Sequence, residues 1–129
     1  MIDPQTLKYA STHEWVHVEG ETATIGISKF AVDQLTDLIM IDLPAVGAKL
    51  TAGKSFGEIE SVKAVSDLYA PVNGTVIEVN GVVKADVQKL AADAYTDGWL
   101  IKIQLENPSD VNNLMDADAY EKQVHDQDH

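Results

Sequence analysis

The sequence predicts a mainly β domain. Three observations carry that expectation. Short runs rich in Val, Ile and Thr recur along the chain, Gly, Asn and Asp turn signals separate them, and helical patterns are confined to the flanks, near 28–36 and 108–124. At 129 residues, 45% of them hydrophobic, the chain is the size of one domain. It can bury about two-thirds of its unfolded surface without staples. A single domain over 1–124 is expected, with a disordered tail at 125–129.

Residues 1–8 read as a loosely held polar lead-in. Trp15-Val16-His17-Val18 and Thr22-Ala23-Thr24-Ile25-Gly26-Ile27, joined through Gly20, form a hairpin pattern. Ser28 is an N-cap for a short helix over Lys29–Leu35, with Phe30, Ala31 and Leu35 on one face. Leu38–Leu43 is a strand that Pro44 stops. Val46–Gly53 has glycines at turn positions around a short strand. Asn73-Gly74 turns the chain into Thr75–Val79, and Asn80-Gly81 marks a further turn. Residues 82–96 fit two patterns: Val82-Val83-Lys84 as strand, Ala85–Tyr95 as helix. A faint repeat links Val46–Phe56 with Asn80–Leu90 as turn-strand-turn segments. Trp99–Leu105 is a strand with apolar side chains at alternate positions. Asn107-Pro108-Ser109-Asp110 is a helix start, and Asp116 caps a second short helix through Ala117, Ala119, Tyr120 and Val124.

Charge and composition exclude several classes of function. Twenty-one acidic and nine basic side chains give a net charge of −12. That balance opposes binding to nucleic acid, which relies on Lys and Arg, and to anionic membrane surfaces. It favours salt-sensitive encounter with proteins that present basic patches. No run approaches the ~20 apolar residues of a membrane helix, and Met1-Ile2-Asp3-Pro4 does not begin a secretory signal. Cysteine is absent, so any sulfur chemistry must arrive on a cofactor.

His13-Glu14-Trp15-Val16-His17 satisfies the zinc-protease pattern His-Glu-x-x-His. The pattern binds zinc on a helix, where residues four apart share one face. The β-branched residues that follow make this segment a strand, on which the two rings stand ~13 Å apart, too far for metal bonds of ~2 Å. No metal site is expected.

The stretch Glu60–Pro71 lies between two strand-like runs, Lys54–Ile59 and Val72–Val79. Lys63 stands mid-turn, with Val62 and Ala64 beside it. An isolated lysine in an acidic chain is ordinarily a solvated surface charge. At a hairpin tip, however, no partner strand covers the amine, and a prosthetic group attached there can swing clear of the protein. Glu60, Glu14 and Asp67 read, by residue type, as surface acids. Trp15, Trp99, Tyr69 and Tyr95 read as core or rim packing.

Glu60-Ser61-Val62-Lys63-Ala64, followed by Ser66-Asp67-Leu68-Tyr69-Ala70-Pro71-Val72, resembles the lipoylation site of glycine cleavage system H proteins. Tyr9–Trp15, Ala23–Ile27 and Gly98–Ile103 resemble the same family in the same order, over about Leu7 to Tyr120. The resemblance implies a lipoyl-domain-like fold, a flattened barrel-sandwich hybrid. It also implies lipoate in amide linkage to Lys63, with Glu60, Ser61, Val62, Ala64 and Asp67 as recognition residues around it. Glu14 would lie near the docked arm, its carboxylate pairing with the cationic amine of an aminomethyl-lipoyl group. The implied function is a non-catalytic, monomeric carrier. Its partners would be a pyridoxal-phosphate glycine decarboxylase, a tetrahydrofolate-dependent aminomethyltransferase, the FAD enzyme dihydrolipoyl dehydrogenase and a lipoyl-attaching enzyme. The expected location is the cytoplasm for a bacterial chain, or the mitochondrial matrix for a processed eukaryotic one.

The chain departs from the family pattern at Val87–Ala91, at Ala94-Tyr95-Thr96 and at Thr36, which replaces a common Gly. The first two departures bear on the loop between Asn80 and Asp97, not on the attachment chemistry. Rival readings are a biotinyl domain, which the missing methionines beside Lys63 disfavour, a lipoyl donor to other proteins, a zinc peptidase and a structural interaction module.

Overall fold

The computed structural model describes residues 4–35 and 37–127. Strand pairing produces two antiparallel sheets that do not close into a barrel, so the architecture is the sandwich form of the expected fold. The first sheet has the order β1-β2-β3-β9-β8-β5. Its strands are Lys8–Tyr9, Glu14–Glu19, Thr22–Ile27, Ile101–Leu105, Gly74–Val79 and Lys49–Leu50 respectively. The second sheet is β4 (Leu38–Asp42), β6 (Ser55–Ser61) and β7 (Val65–Tyr69), with β6 in the centre.

The β2–β3 hairpin forms as its alternation requires, in the register Trp15↔Gly26 and Val16↔Ile25. Gly26 is where a side chain cannot be tolerated: a Cβ there would run into the Trp15 indole. That close approach lets the buried Trp15 Nε1–H reach the carbonyls of Ile27 and Ala94, each at 3.1 Å. Ser28 accepts from Ala31 N–H at 3.3 Å and starts α1 (Lys29–Leu35) as expected.

One apolar cluster joins Ile27, Ile41, Ile59, Leu68 and Leu100 from both sheets to Val83 and Leu90. A second fills the space along the larger sheet, around Val16, Ile25, Val76, Ile101 and Ile103. A third gathers Leu7, Tyr9, Trp15, Ala117 and Tyr120 beneath the C-terminal helix.

The structure corrects four expectations. Leu7 and Tyr9 are buried and Lys8–Tyr9 pairs with β2, so the lead-in is tied down from Leu7 onward. Asn80-Gly81 does not turn one strand into another. Buried Asn80 instead accepts from Val82 and Val83 N–H while donating to the carbonyls of Asp97 and Trp99. Those bonds make it the N-cap of α2 (Gly81–Ala85), which α3 (Gln88–Ala92) follows. Val82–Lys84 is therefore helix, and the repeat with Val46–Phe56 has no structural counterpart. Finally, after the 3-10 turn Pro108–Asn113, α4 runs Ala117–Gln127, so 125–127 continue the helix where a tail was expected. Residues 128–129 and Thr36 lie outside the described residues.

Candidate functional site

Lys63 sits at the tip of the β6–β7 hairpin. The strand returning from the turn is β7, within the singled-out stretch itself; Val72–Val79 crosses to the other sheet, largely as β8. Register runs Glu58↔Asp67, Ile59↔Ser66, Glu60↔Val65, leaving Ser61-Val62-Lys63-Ala64 as the turn. Ser61 closes it. Its N–H donates to Ala64 O at 2.8 Å, and its buried hydroxyl bridges the Ala64 N–H and carbonyl, each at 3.1 Å. Val62 N–H donates to Asp37 O at 3.1 Å and braces the tip against the start of β4. No left-handed residue is needed: among the described residues His13 is the one non-glycine with positive φ. Lys63 is exposed, and nothing among the described residues pairs with its amine. The backbone is fixed while the side chain is free, which is the mechanical requirement for a swinging arm.

The sequence-predicted residues around Lys63 divide by depth. Val62, Ala64 and Asp67 are exposed, Glu60 is half-buried and Ser61 is buried. Asp67 stands directly across from Glu58, and Asp42 across from Glu58 on the other side. Three carboxylates thus form a row across the small sheet. Like charges placed opposite one another oppose strand pairing and leave a strongly negative face below the tip.

Glu14 is not the surface acid that its residue type suggests. It opens β2 and is fully buried. Its Oε2 accepts the Tyr69 N–H at 3.0 Å, at the end of β7, and its Oε1 accepts the Thr12 hydroxyl. One carboxyl therefore ties the large sheet to the small one. Burial disfavours its charged form, and despite hydrogen bonds from Thr12, the Tyr69 N–H and its own backbone N–H it is pushed up to about 7 from an ordinary 4.5. Both of its partners, Thr12 and Tyr69, line a cleft of about 440 Å³ together with Ala10, Ser11, Pro71 and Leu114. Glu14 stands behind that cleft's wall. Strand β7 connects the two places, and Ala64 to Tyr69 spans about 17 Å of extended chain.

His13 and His17 do not form a zinc pair. His13 lies in a turn with φ 84°, and His17 lies on β2, bonded to Glu19 at 3.0 Å. The helix that the zinc pattern requires is absent at this segment. Trp15 and Tyr9 belong to the core as packing residues. Tyr69 does more than pack, through its backbone N–H. The sequence assigns no site role to Thr12, Tyr69, Ser28 or Tyr120, although Thr12 and Tyr69 lie in the stretches that match the family and Ser28 reads as a helix cap.

Comparison with known proteins agrees with this geometry. A family profile described as Glycine cleavage H-protein matches residues 7–127. A glycine cleavage system H protein of Cyanothece sp. is 52% identical, over 94% of each chain. One from Symbiobacterium thermophilum is 46% identical over 92% of each. The crystal structure of a glycine cleavage system H protein from Mycobacterium marinum superposes with a TM-score of 0.87 at 37% identity, covering 95% of this chain and 99% of that one. The chain belongs to the glycine cleavage H-protein family, the non-catalytic lipoyl carriers of the glycine cleavage system.

Proposed function

We propose that Lys63 carries lipoate in amide linkage and that this chain shuttles the aminomethyl group of glycine between enzymes. The observation that supports this most is the uncovered Lys63 amine on a turn whose backbone is braced from both sides. An amine so placed fits amide attachment, since burial or a closed ion pair would have to be undone first. Bound lipoate supplies an exchangeable sulfur pair. The chain's partners would be a glycine decarboxylase with pyridoxal phosphate, an aminomethyltransferase with tetrahydrofolate and dihydrolipoyl dehydrogenase with FAD.

The residues of this chain supply tethering and recognition. A short arm on a fixed tip raises the effective concentration of its end at a docked active site to the mM range. Glu60 and Asp67, with Val62 and Ala64 beside the lysine and Ser61 closing the turn, present that amine to the attaching enzyme. The negative face beneath them favours enzymes with basic surfaces. Thr12 and Tyr69 line the cleft and hold the Glu14 carboxyl behind its wall. A cationic amine arriving in the cleft favours the ionised form and lowers its pKa. Among the described residues no helix is long and apolar enough to cross a membrane. The bacterial relatives support a cytoplasmic location, and the carrier acts as a monomer.

The test is reconstitution of the modified full chain with the three enzymes. Glycine-dependent release of carbon dioxide should require Lys63 and vanish in Lys63→Arg. Undiminished turnover by Lys63→Arg would end this reading.

A further inference from the structure

The geometry points to Tyr120, on the C-terminal helix, as the positioning residue for Glu14. Its ring stacks on Tyr9 with centroids 4.3 Å apart and planes 4° from parallel. Its hydroxyl lies 2.7 Å from His13 Nδ1 and 2.6 Å from Ser28 Oγ. One arrangement of protons satisfies the whole chain of contacts: Ala31 N–H donates to Ser28 Oγ, Ser28 O–H to Tyr120, and Tyr120 O–H to a neutral His13. Burial lowers the His13 pKa and so favours that neutral ring.

His13 is the residue that needs such a latch. Its φ of 84° lies in the left-handed region, which a residue bearing a Cβ resists. Three further bonds fix its surroundings: His13 N–H to Ala10 O at 3.0 Å, Ala10 N–H to Glu14 O at 2.9 Å, and Ser28 N–H to His13 O at 2.9 Å. Reversing the chain at His13 aims the next side chain, Glu14, away from solvent and into its seat between Thr12 and Tyr69. The hydroxyl of Tyr120 therefore acts at one remove. It holds the ring of His13, the ring anchors the strained backbone, and the backbone delivers the carboxyl. The C-terminal helix is in this way connected to the far end of β7.

The assignment of a purpose rests on the reading that the arm docks at this cleft, but the latch itself can be tested without an arm. In the unmodified full chain, Tyr120→Phe keeps the ring stack and removes both hydroxyl contacts. Carboxyl-carbon NMR should show the Glu14 midpoint falling from about 7 towards its ordinary value as water reaches the seat. Exchange of the Tyr69 amide should quicken about tenfold, as expected for loss of one hydrogen bond's stabilisation, while the β8–β9 amides remain protected. His13→Gly supplies the control, because glycine adopts positive φ without a latch. In that background Tyr120→Phe should add no further shift. An unchanged Glu14 midpoint in Tyr120→Phe overturns the proposal, as does an equal shift with and without His13→Gly. In lipoylated protein, a moved midpoint with undiminished protection of the loaded arm would leave the latch standing and remove the docking reading instead.

Discussion

The two ends of strand β7 are built in opposite ways. At the Lys63 end, four consecutive residues close a turn through the Ser61 hydroxyl, and the functional side chain points into water. At the Tyr69 end, the Thr12 hydroxyl and the Tyr69 N–H converge on the fully buried Glu14 carboxyl, with the Ser28–Tyr120 pair nearby. The first end fixes a backbone so that a side chain can move. The second fixes a side chain in the interior, where it joins the two sheets. The tip should therefore tolerate side-chain changes without loss of fold, whereas the seat should couple every change to stability and pH.

The largest contrast is expected from Lys63→Ala. Carrier activity and lipoyl incorporation should be lost completely, yet unfolding in urea should shift by no more than about 0.5 kcal/mol, the usual range for an exposed position. At the seat, Gly26→Val drives a side chain into Trp15, next to Glu14. It should cost about 3 kcal/mol or prevent folding, as seen by thermal unfolding.

A smaller effect separates the two ends by pH. The folded-state pKa of Glu14 is raised above its unfolded value, so the folded chain binds the proton more tightly. Its stabilising contribution is fully present below about 4.5 and is lost as pH rises through about 7, a change of about 3 kcal/mol. His13, with a lowered folded pKa, acts in the opposite sense: its contribution is fully present above its ordinary 6.5 and is lost as pH falls below that value. Urea unfolding of wild type against Glu14→Gln, at pH 5 and pH 8, isolates the first slope. The loss of stability from pH 5 to pH 8 should be present for wild type and replaced in Glu14→Gln by the opposite contribution of His13 alone. Lys63→Ala should keep the wild-type slope. The smallest effect is expected for Ser61→Ala, which should cost about 1 kcal/mol and slow lipoyl attachment by loosening the turn.

The same contrast explains what could be read from the sequence. The tip is local, so Lys63 is legible as a mid-turn residue from its neighbours, although the returning run reads as Val72–Val79 and is in fact Val65–Tyr69. The β2–β3 hairpin, the Ser28 cap and the Asn107 and Asp116 helix starts were legible for the same reason. Glu14 reads as a surface acid in the sequence because the group that holds it in the interior, Tyr69, lies 55 residues away. Tyr120 was hidden further, since its partner His13 is 107 residues distant. Asn80 misled in a related way. Asn-Gly is a strong local turn signal, but carbonyls from Asp97 and Trp99 hold the Asn80 side chain where it caps a helix.

Peptide mapping by mass spectrometry of protein purified from its native source tests the central claim most directly. The account predicts a lipoyl-sized adduct on the peptide containing Lys63 and on no other lysine. An unmodified Lys63, or the adduct on a different lysine, would contradict it.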